Sequence, residues 1–206
     1  MKPLVLLLVL CMLVGGCHAK CPFPCPIWTD GKAAFSTVDF EIQIPQGWMQ
    51  MNLNWLREDL KTEGIQLLLV RDGVTLQEVR LIKRPLNAAF LNSKESLAQD
   101  MLPQEMGEAM FRDVQADSAK LNPRLIQGAP ATIGGSSGFV VVYSYVNNDG
   151  LKRKTVEYGV IYESWFYALT YDAPAQYYFD KSLSEFQTMV LSFRPLPSVP
   201  SHARLS

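Results

Sequence analysis

The chain has 206 residues, of which 48% are apolar, and it carries 19 basic and 20 acidic side chains. This composition is that of one folded domain of ordinary size, and it excludes an intrinsically disordered chain. The formal net charge of −1 leaves no basic block that would neutralise phosphates. We therefore expect no nucleic-acid partner.

The N-terminus has the layout of a bacterial secretory signal. Lys2 supplies a positive charge, an apolar run extends to Val14, and the small residues Gly15 and Gly16 follow. The apolar run is too short for a spanning helix, which needs about 20 apolar residues. The sequence therefore predicts an exported protein without a permanent membrane span.

The segment Val14-Gly15-Gly16-Cys17 resembles the lipobox of bacterial lipoproteins. The resemblance implies a diacylglycerol on Cys17, cleavage of the signal 1–16, and acylation, for example by palmitate, of the new terminus. Two or more acyl chains hold a protein on a bilayer almost permanently, because each buried methylene contributes about 0.8 kcal/mol. His18 stands where an Asp would resemble an inner-membrane retention signal, which favours the periplasmic face of the outer membrane. The alternative is an ordinary signal with a chance cysteine.

Two further cysteines would remain in the exported chain. Cys21 and Cys25 alternate with prolines, and thiols in an oxidising compartment are good candidates for a disulfide. Two alternatives stay open: a soft metal site that adds His18 to the two cysteines, or a pair of free thiols.

Composition along the chain divides it into four segments. The lipoprotein signal 1–16 is followed by a Cys/Pro-rich tether over 17–32, one folded domain over 33–195, and a flexible tail over 196–206. A domain of this size buries most of its apolar surface without help from metals or bridges.

The first half of the domain combines strands and a helical region. Alternation predicts a strand from Val38 to Ile44, and two apolar runs around Arg71-Asp72-Gly73 predict a hairpin. A capping box at Asn92 to Glu95 predicts the start of a helix, with a kink or restart at Pro103.

The second half reads as a loop, a meander and a helix. After the predicted loop from Gly128 to Gly138, three strands are expected, joined by a hairpin turn at Asn147 to Gly150, and a helix begins after Pro174. Both faces of these strands carry apolar side chains. We therefore expect an α+β fold, a mainly antiparallel sheet with helices covering both faces.

This order of elements resembles the PsbP/Mog-type α/β/α sandwich. The matching segments are Phe40-Glu-Ile-Gln-Ile-Pro-Gln-Gly-Trp48, Ile133-Gly134-Gly135, Tyr171-Asp-Ala-Pro174 and Phe186-Gln-Thr-Met-Val-Leu-Ser-Phe193. The resemblance spans Val38 to Phe193. It implies the fold but no substrate, because members of this fold serve as photosystem accessory subunits, small-GTPase partners or bacterial envelope proteins.

Common catalytic and metal-binding side chains are absent from the predicted domain. The only histidines are His18 and His202, and no cysteine follows Cys25. Histidine-dependent nucleophilic catalysis and imidazole zinc sites are thereby excluded between Lys32 and Pro195. The glycine-rich Gly134-Gly135-Ser136-Ser137-Gly138 lacks the Lys-Ser/Thr of a P-loop, so it predicts a turn. We predict no catalytic residue, no cofactor and no metal.

Carboxylates are the remaining candidates for chemistry. Glu157, Glu163, Asp172 and Asp180 could form an acid and base pair, but no ligand pocket is evident from the sequence, so we expect solvated charges and a helix cap at Asp180. Aromatic residues of the meander are expected mainly in the core, and any exposed ring is a candidate binding surface: Tyr143, Tyr145, Tyr158, Tyr162, Trp165, Tyr167 and Tyr171.

Two functions follow. The first is a non-catalytic envelope lipoprotein that binds a protein or small ligand on its aromatic sheet or assists a membrane complex. The second is a carboxylate-based periplasmic hydrolase of glycan or cell-wall material. The hydrolase would require two acidic groups in one cleft, about 5 to 10 Å apart.

Overall fold

The computed structural model describes residues 27–28, 33–53 and 63–197. Cys17, Cys21, Cys25 and both histidines lie outside the described residues, so the lipidation, disulfide and metal hypotheses stay predictions. The described helices are α1 (Pro103–Ala116) and α2 (Tyr178–Ser192). The strands are β1 (Ile27–Trp28), β2 (Ala33–Ser36), β3 (Phe40–Ile44), β4 (Met49–Gln50), β5 (Ile65–Arg71), β6 (Gln77–Pro85), β7 (Leu121–Ile133), β8 (Ser136–Val146), β9 (Lys152–Tyr162), β10 (Trp165–Pro174) and β11 (Arg194–Pro195).

The strands form two antiparallel sheets. The large sheet has the order β1-β4-β5-β6-β10-β9-β8-β7, and the small one has the order β11-β3-β2. The predicted hairpin β5-β6 and the predicted meander β8-β9-β10 are present in the large sheet. Ile27 and Trp28, which fall within the predicted tether, pair with β4.

Side chains of β10 alternate between two cores, because successive residues of a strand point to opposite faces. Tyr167, Leu169 and Tyr171 pack with α2 and β3 in the first core. Phe166 and Ala168 pack with α1 in the second core. The face of the large sheet that carries Tyr171 is called the first face below, and the face that carries Phe166 is the second.

The cover of the second face is only partly helical. Phe90 and Leu97 belong to the second core, yet they lie in a segment between β6 and α1 that forms turns. The capping box predicted at Asn92 is wrong: the helix begins at Pro103, and the backbone N–H of Leu102 donates to Glu105 at 2.8 Å. The fold is α+β, with large antiparallel sheets and, in the described residues, two helices.

Strand β7 was predicted as a loop from Gly128, and this prediction is wrong. The strand has 13 residues and pairs with β8, with two register shifts. Among the described residues it is the end strand of the large sheet. Leu121, Leu125 and Ile126 are exposed on it, so its sequence lacks the apolar alternation of a buried strand. In the described part of the chain, no helix has the length and apolar character needed to cross a bilayer.

Candidate functional site

A cleft of about 700 Å³ opens over the second face of the large sheet. Its floor is formed by β6, β8, β9 and β10, and one wall by the C-terminal half of α1. The residues that follow β6 and those that follow α1 complete the rim. Ligand sites for small molecules have volumes of about 300 to 1,000 Å³, so the cleft has the size of such a site.

The strand register gathers the polar residues of the floor into two adjacent rows. In the first row Asp172 of β10 lies between Glu78 of β6 and Thr155 of β9. In the second row Thr170 of β10 lies between Arg80 of β6 and Glu157 of β9. Residues two apart on a strand share a face, so both rows point into the cleft.

Asp172 is held by three donors. Thr155 donates its hydroxyl proton at 2.6 Å, Tyr145 donates at 2.9 Å, and the guanidinium of Arg153 forms an ion pair with the same carboxylate. Arg153 also donates to the carbonyls of Thr75 at 3.1 Å and Leu76 at 3.3 Å. The carboxylate is thus fixed as part of the wall, and most of its hydrogen-bond acceptor sites are occupied by protein donors.

Arg80 lies between two carboxylates. It forms ion pairs with Glu78 and, at 3.6 Å, with Glu63. Burial alone would lower the pKa of Arg80, but the attraction of Glu78 and Glu63 outweighs it and raises the pKa. Burial also raises the pKa of Glu63, against the attraction of Arg80.

Glu157 differs from the other acidic groups of the floor. It is only 3% exposed, and it forms no ion pair with a lysine or arginine of the described residues. Burial raises the pKa of Glu157 to about 7; Lys120, Arg80 and the Thr170 hydroxyl oppose this shift, while Asp113 adds to it. The expectation that Glu157 is a solvated charge is wrong, because its strand lies inside the sheet and α1 packs nearby.

Aromatic rings line the same space. Tyr143 and Tyr145 of β8 are buried at 3% and 9% exposure, and Phe90 and Phe166 complete the aromatic surface. Burial raises the pKa of both tyrosines, so their hydroxyls are neutral near pH 7.

The rim is organised by Asp113 of α1. Its carboxylate accepts the backbone N–H groups of Asn92 and Ser93, each at 2.8 Å. These bonds attach the irregular segment after β6 to the helix. Nearby, Lys120 forms an ion pair with Asp117. Burial alone would raise the pKa of Asp117, but its hydrogen bond and charge attraction with Lys120 lower it.

The structure brings two of the four candidate carboxylates together. Glu157 and Asp172 occupy diagonal positions on β9 and β10, and diagonal neighbours of this kind lie about 7 to 8 Å apart, with a somewhat shorter distance between their Cβ atoms. Glu163 lies exposed in the turn between β9 and β10, and Asp180 lies exposed in the first turn of α2, whose N-cap is Tyr177. The predicted cap role of Asp180 is therefore wrong.

The aromatic residues of the meander divide between the two faces. Tyr143 and Tyr145 line the cleft, whereas Tyr167 and Tyr171 are fully buried in the first core. Tyr158, Tyr162 and Trp165 are partly buried against that core. No ring of this set is exposed, so the predicted aromatic binding surface is limited to the cleft tyrosines.

Sequence reasoning missed the charged partners in the cleft. Glu78 and Arg80 alternate with Val79 and Leu81 on β6, and β6 lies inside the sheet. Charged residues that alternate on an interior strand are a signal of a polar site, because such a face is otherwise apolar. Among the residues that the structure describes, no group of three or more metal-ligating side chains is present.

Comparisons with known proteins show a PsbP-like fold. The solution structure of the cyanobacterial PsbP protein, CyanoP, from Synechocystis sp. PCC 6803 matches with a TM-score of 0.56 and 14% identity, over 79% of this chain and 90% of that one. LpqN, involved in cell envelope biogenesis of Mycobacterium tuberculosis, matches with a TM-score of 0.50 and 15% identity, over 84% of this chain and 90% of that one. No protein-family model and no curated protein sequence matches the chain.

Proposed function

We propose that this chain is a non-catalytic binding module of a bacterial cell envelope, which takes up a small ligand in the cleft over the second face. The observation that carries the proposal is the cleft itself: about 700 Å³ with a floor of charged, hydroxyl and aromatic side chains. An apolar sheet face that served packing alone would not place Glu157 and Arg80 on interior strands.

The state of Asp172 argues for binding rather than hydrolysis. A glycosidase requires one carboxylate that is free to attack the sugar or activate water. Asp172 accepts hydrogen bonds from Tyr145 and Thr155 and forms an ion pair with Arg153. To attack a sugar or to activate water, it would have to give up contacts that hold the wall of the cleft together.

The envelope location rests on the lipobox at Cys17 and is supported by the shared fold with LpqN, a protein involved in cell envelope biogenesis. In this proposal the acyl chains hold the protein on the periplasmic face of the outer membrane. The bound ligand, or a protein partner recruited with it, then acts next to the membrane as part of an accessory role.

The proposal is tested with a substitution that fills the cleft with a large side chain. The full chain would be purified from membranes and screened by thermal shift against cationic, anionic and neutral small molecules of the envelope. Thr170→Trp places a large ring on the floor, whereas the control Thr188→Trp places it on the exposed side of α2. We expect ligands that stabilise the wild type and the control but not Thr170→Trp. Equal stabilisation of all three proteins would overturn the assignment of the site.

A second function is favoured by one observation, the presence of Glu157 and Asp172 in the same cleft. Diagonal neighbours on one face of the sheet place both carboxylates in one cleft, as a glycosidase requires, and a pKa of about 7 suits Glu157 as a general acid. Turnover of a glycan substrate that is present in the wild type and absent in Glu157→Gln would support this hydrolase function and replace the binding proposal.

A further inference from the structure

The charges of the cleft are unbalanced. Seven acidic and four basic side chains of the described residues line it. The acidic set is Glu63, Glu78, Asp113, Asp117, Asp149, Glu157 and Asp172, and the basic set is Arg80, Arg84, Lys120 and Arg153.

Every one of the four cations is already engaged by the protein. Arg153, Arg80 and Lys120 form ion pairs with Asp172, Glu78 and Asp117. Arg84 donates to the carbonyls of Ala88 and Ala89 and lies 4.8 Å from the ring centroid of Phe90. An anionic ligand would have to displace a carboxylate to reach three of them and to replace the carbonyl contacts of the fourth, Arg84, which makes an anion a poor occupant.

Glu157, by contrast, is an acidic group of the cleft that no cation of the described residues pairs with. It is nine-tenths buried, it lines the cleft, and it forms no ion pair within the described part of the chain. A buried carboxylate is costly unless it is paired, so a cation delivered by a ligand would remove that cost. The neighbouring hydroxyl oxygens of Thr155 and Thr170 offer further acceptors for the N–H groups of an ammonium ion.

We infer that the ligand of this cleft is a small organic cation whose primary ammonium group binds the Glu157 carboxylate. The inference rests on the proposed function and specifies its ligand class. Tyr143 lies diagonal to Glu157 across β8 and β9, and Tyr145 and Phe166 line the same cleft, so these rings suit the apolar stem of an alkylamine. The cleft volume of about 700 Å³ is in the range of small-molecule sites.

The inference requires that binding depend on pH. The charged and titratable groups that share the cleft with Glu157 include members of four elements and of the segment after α1. Among them are Arg80 and Glu78 from β6, Tyr143 and Tyr145 from β8, Asp172 from β10, Asp113 from α1, and Asp117 and Lys120 after it. Glu157 has a pKa of about 7 and must be ionised to pair with an ammonium ion. An amine with a pKa near that of lysine, about 10, stays protonated across the same range. Affinity is therefore expected to fall about tenfold from pH 8 to pH 6, as the carboxylate takes up its proton.

The experiment uses three probes of equal size and different charge: n-butylammonium, 1-butanol and butyrate. Each is titrated into the full chain in non-ionic detergent, and binding is followed by the NMR shifts of the amides of β9 and β10. We expect saturable shifts with butylammonium only. Glu157→Gln should weaken binding by at least about tenfold, because it removes a hydrogen bond between charged groups. The matched control Asp100→Asn removes the same charge from an exposed position outside the cleft and should change affinity less than about twofold.

Two outcomes would overturn the inference. If butanol or butyrate shifts the cleft amides as strongly as butylammonium, the ligand class is wrong while the cleft remains a binding site. If none of the three probes shifts the cleft amides, an ammonium site at Glu157 is excluded. The proposed function is then tested by the Thr170→Trp comparison alone.

Discussion

Glu157 loses its hydration on folding and gains no ion pair from the described residues. Because its pKa rises to about 7 from an ordinary value of 4.5, the folded state binds a proton that the unfolded state has released. Folding stability therefore falls as pH rises from about 4.5 through 7 and stays level above that range.

This linkage predicts the behaviour of Glu157→Gln. Between pH 5 and pH 8 the wild type should lose roughly 2 to 3 kcal/mol more unfolding free energy than the variant, since the amide does not ionise. Urea unfolding at the two pH values measures the difference, and Asp100→Asn should follow the wild type. Parallel pH profiles for the wild type and Glu157→Gln would show that Glu157 has an ordinary pKa.

Unlike Glu157, Asp172 has a buried counter-charge, the guanidinium of Arg153. Asp172→Asn should lower the free energy of unfolding by about 2 to 4 kcal/mol, because Arg153, with a side chain only 10% exposed, would lose its counter-charge. The double variant with Arg153→Met should be more stable than Asp172→Asn alone. A loss of less than about 1 kcal/mol for Asp172→Asn would mean that the pair does not form.

At the scale of elements, the turn between β7 and β8 connects the two sheets. Gly134 and Gly135 both have positive φ values, 58° and 82°. A Cβ on Gly134 would lie 2.5 Å from Cδ of Pro195 in β11, whereas a Cβ on Gly135 would meet nothing within 4 Å. The turn predicted over Gly134 to Gly138 is therefore present only at Gly134 and Gly135, because Ser136 to Gly138 belong to β8, and Gly134 lies close to β11.

The two glycines provide a matched pair of substitutions. Gly135→Ala should cost about 1 to 2 kcal/mol of unfolding free energy through backbone strain alone. Gly134→Ala should cost more, because it adds the clash with Pro195 to a similar strain. Chemical unfolding of both variants tests this order, and equal losses would show that β11 moves aside without cost.

The elements that the sequence predicted correctly are those with a clear local pattern. In β8 to β10 apolar residues alternate on two buried faces, so the period of two is visible. Within the described residues strand β7 pairs with β8 alone, and it is mostly exposed, so burial does not select for such a pattern. Glu157 and Asp172 were candidates from the sequence, but their common cleft and their neighbour Arg80 were missed for another reason. Arg80, Glu157 and Asp172 are far apart in sequence and meet only through the register of three strands.

At the scale of the whole molecule, the proposed function requires an anchor. The lipobox predicts that a clickable fatty acid labels the wild type in growing cells but not Cys17→Ser, because the thiol takes up the diacylglycerol. In-gel fluorescence of the immunoprecipitated chain measures the label. Equal labelling of both proteins would rule out lipidation at Cys17.

The cysteine pair gives a second prediction at this scale. A disulfide between Cys21 and Cys25 would close a very short loop, which constrains the unfolded chain little. Replacing both residues by Ser should leave thermal stability nearly unchanged. A loss of more than about 2 kcal/mol would show that this segment packs on the domain or holds a metal.

Strand β7 affects how copies of this protein would behave beside one another. Its outer side is paired with no other strand of the described chain, and its surface carries Leu121, Leu125 and Ile126. Molecules held in a membrane plane would meet often and in similar orientations. Under these conditions the edge strands of neighbouring molecules can pair and form extended sheets. Pro123 and Pro130 have no N–H to offer a second copy, and the two register shifts bend the strand. We therefore expect this edge strand to resist pairing with a second copy, also under the crowding that the proposed lipid anchor would impose in a membrane plane.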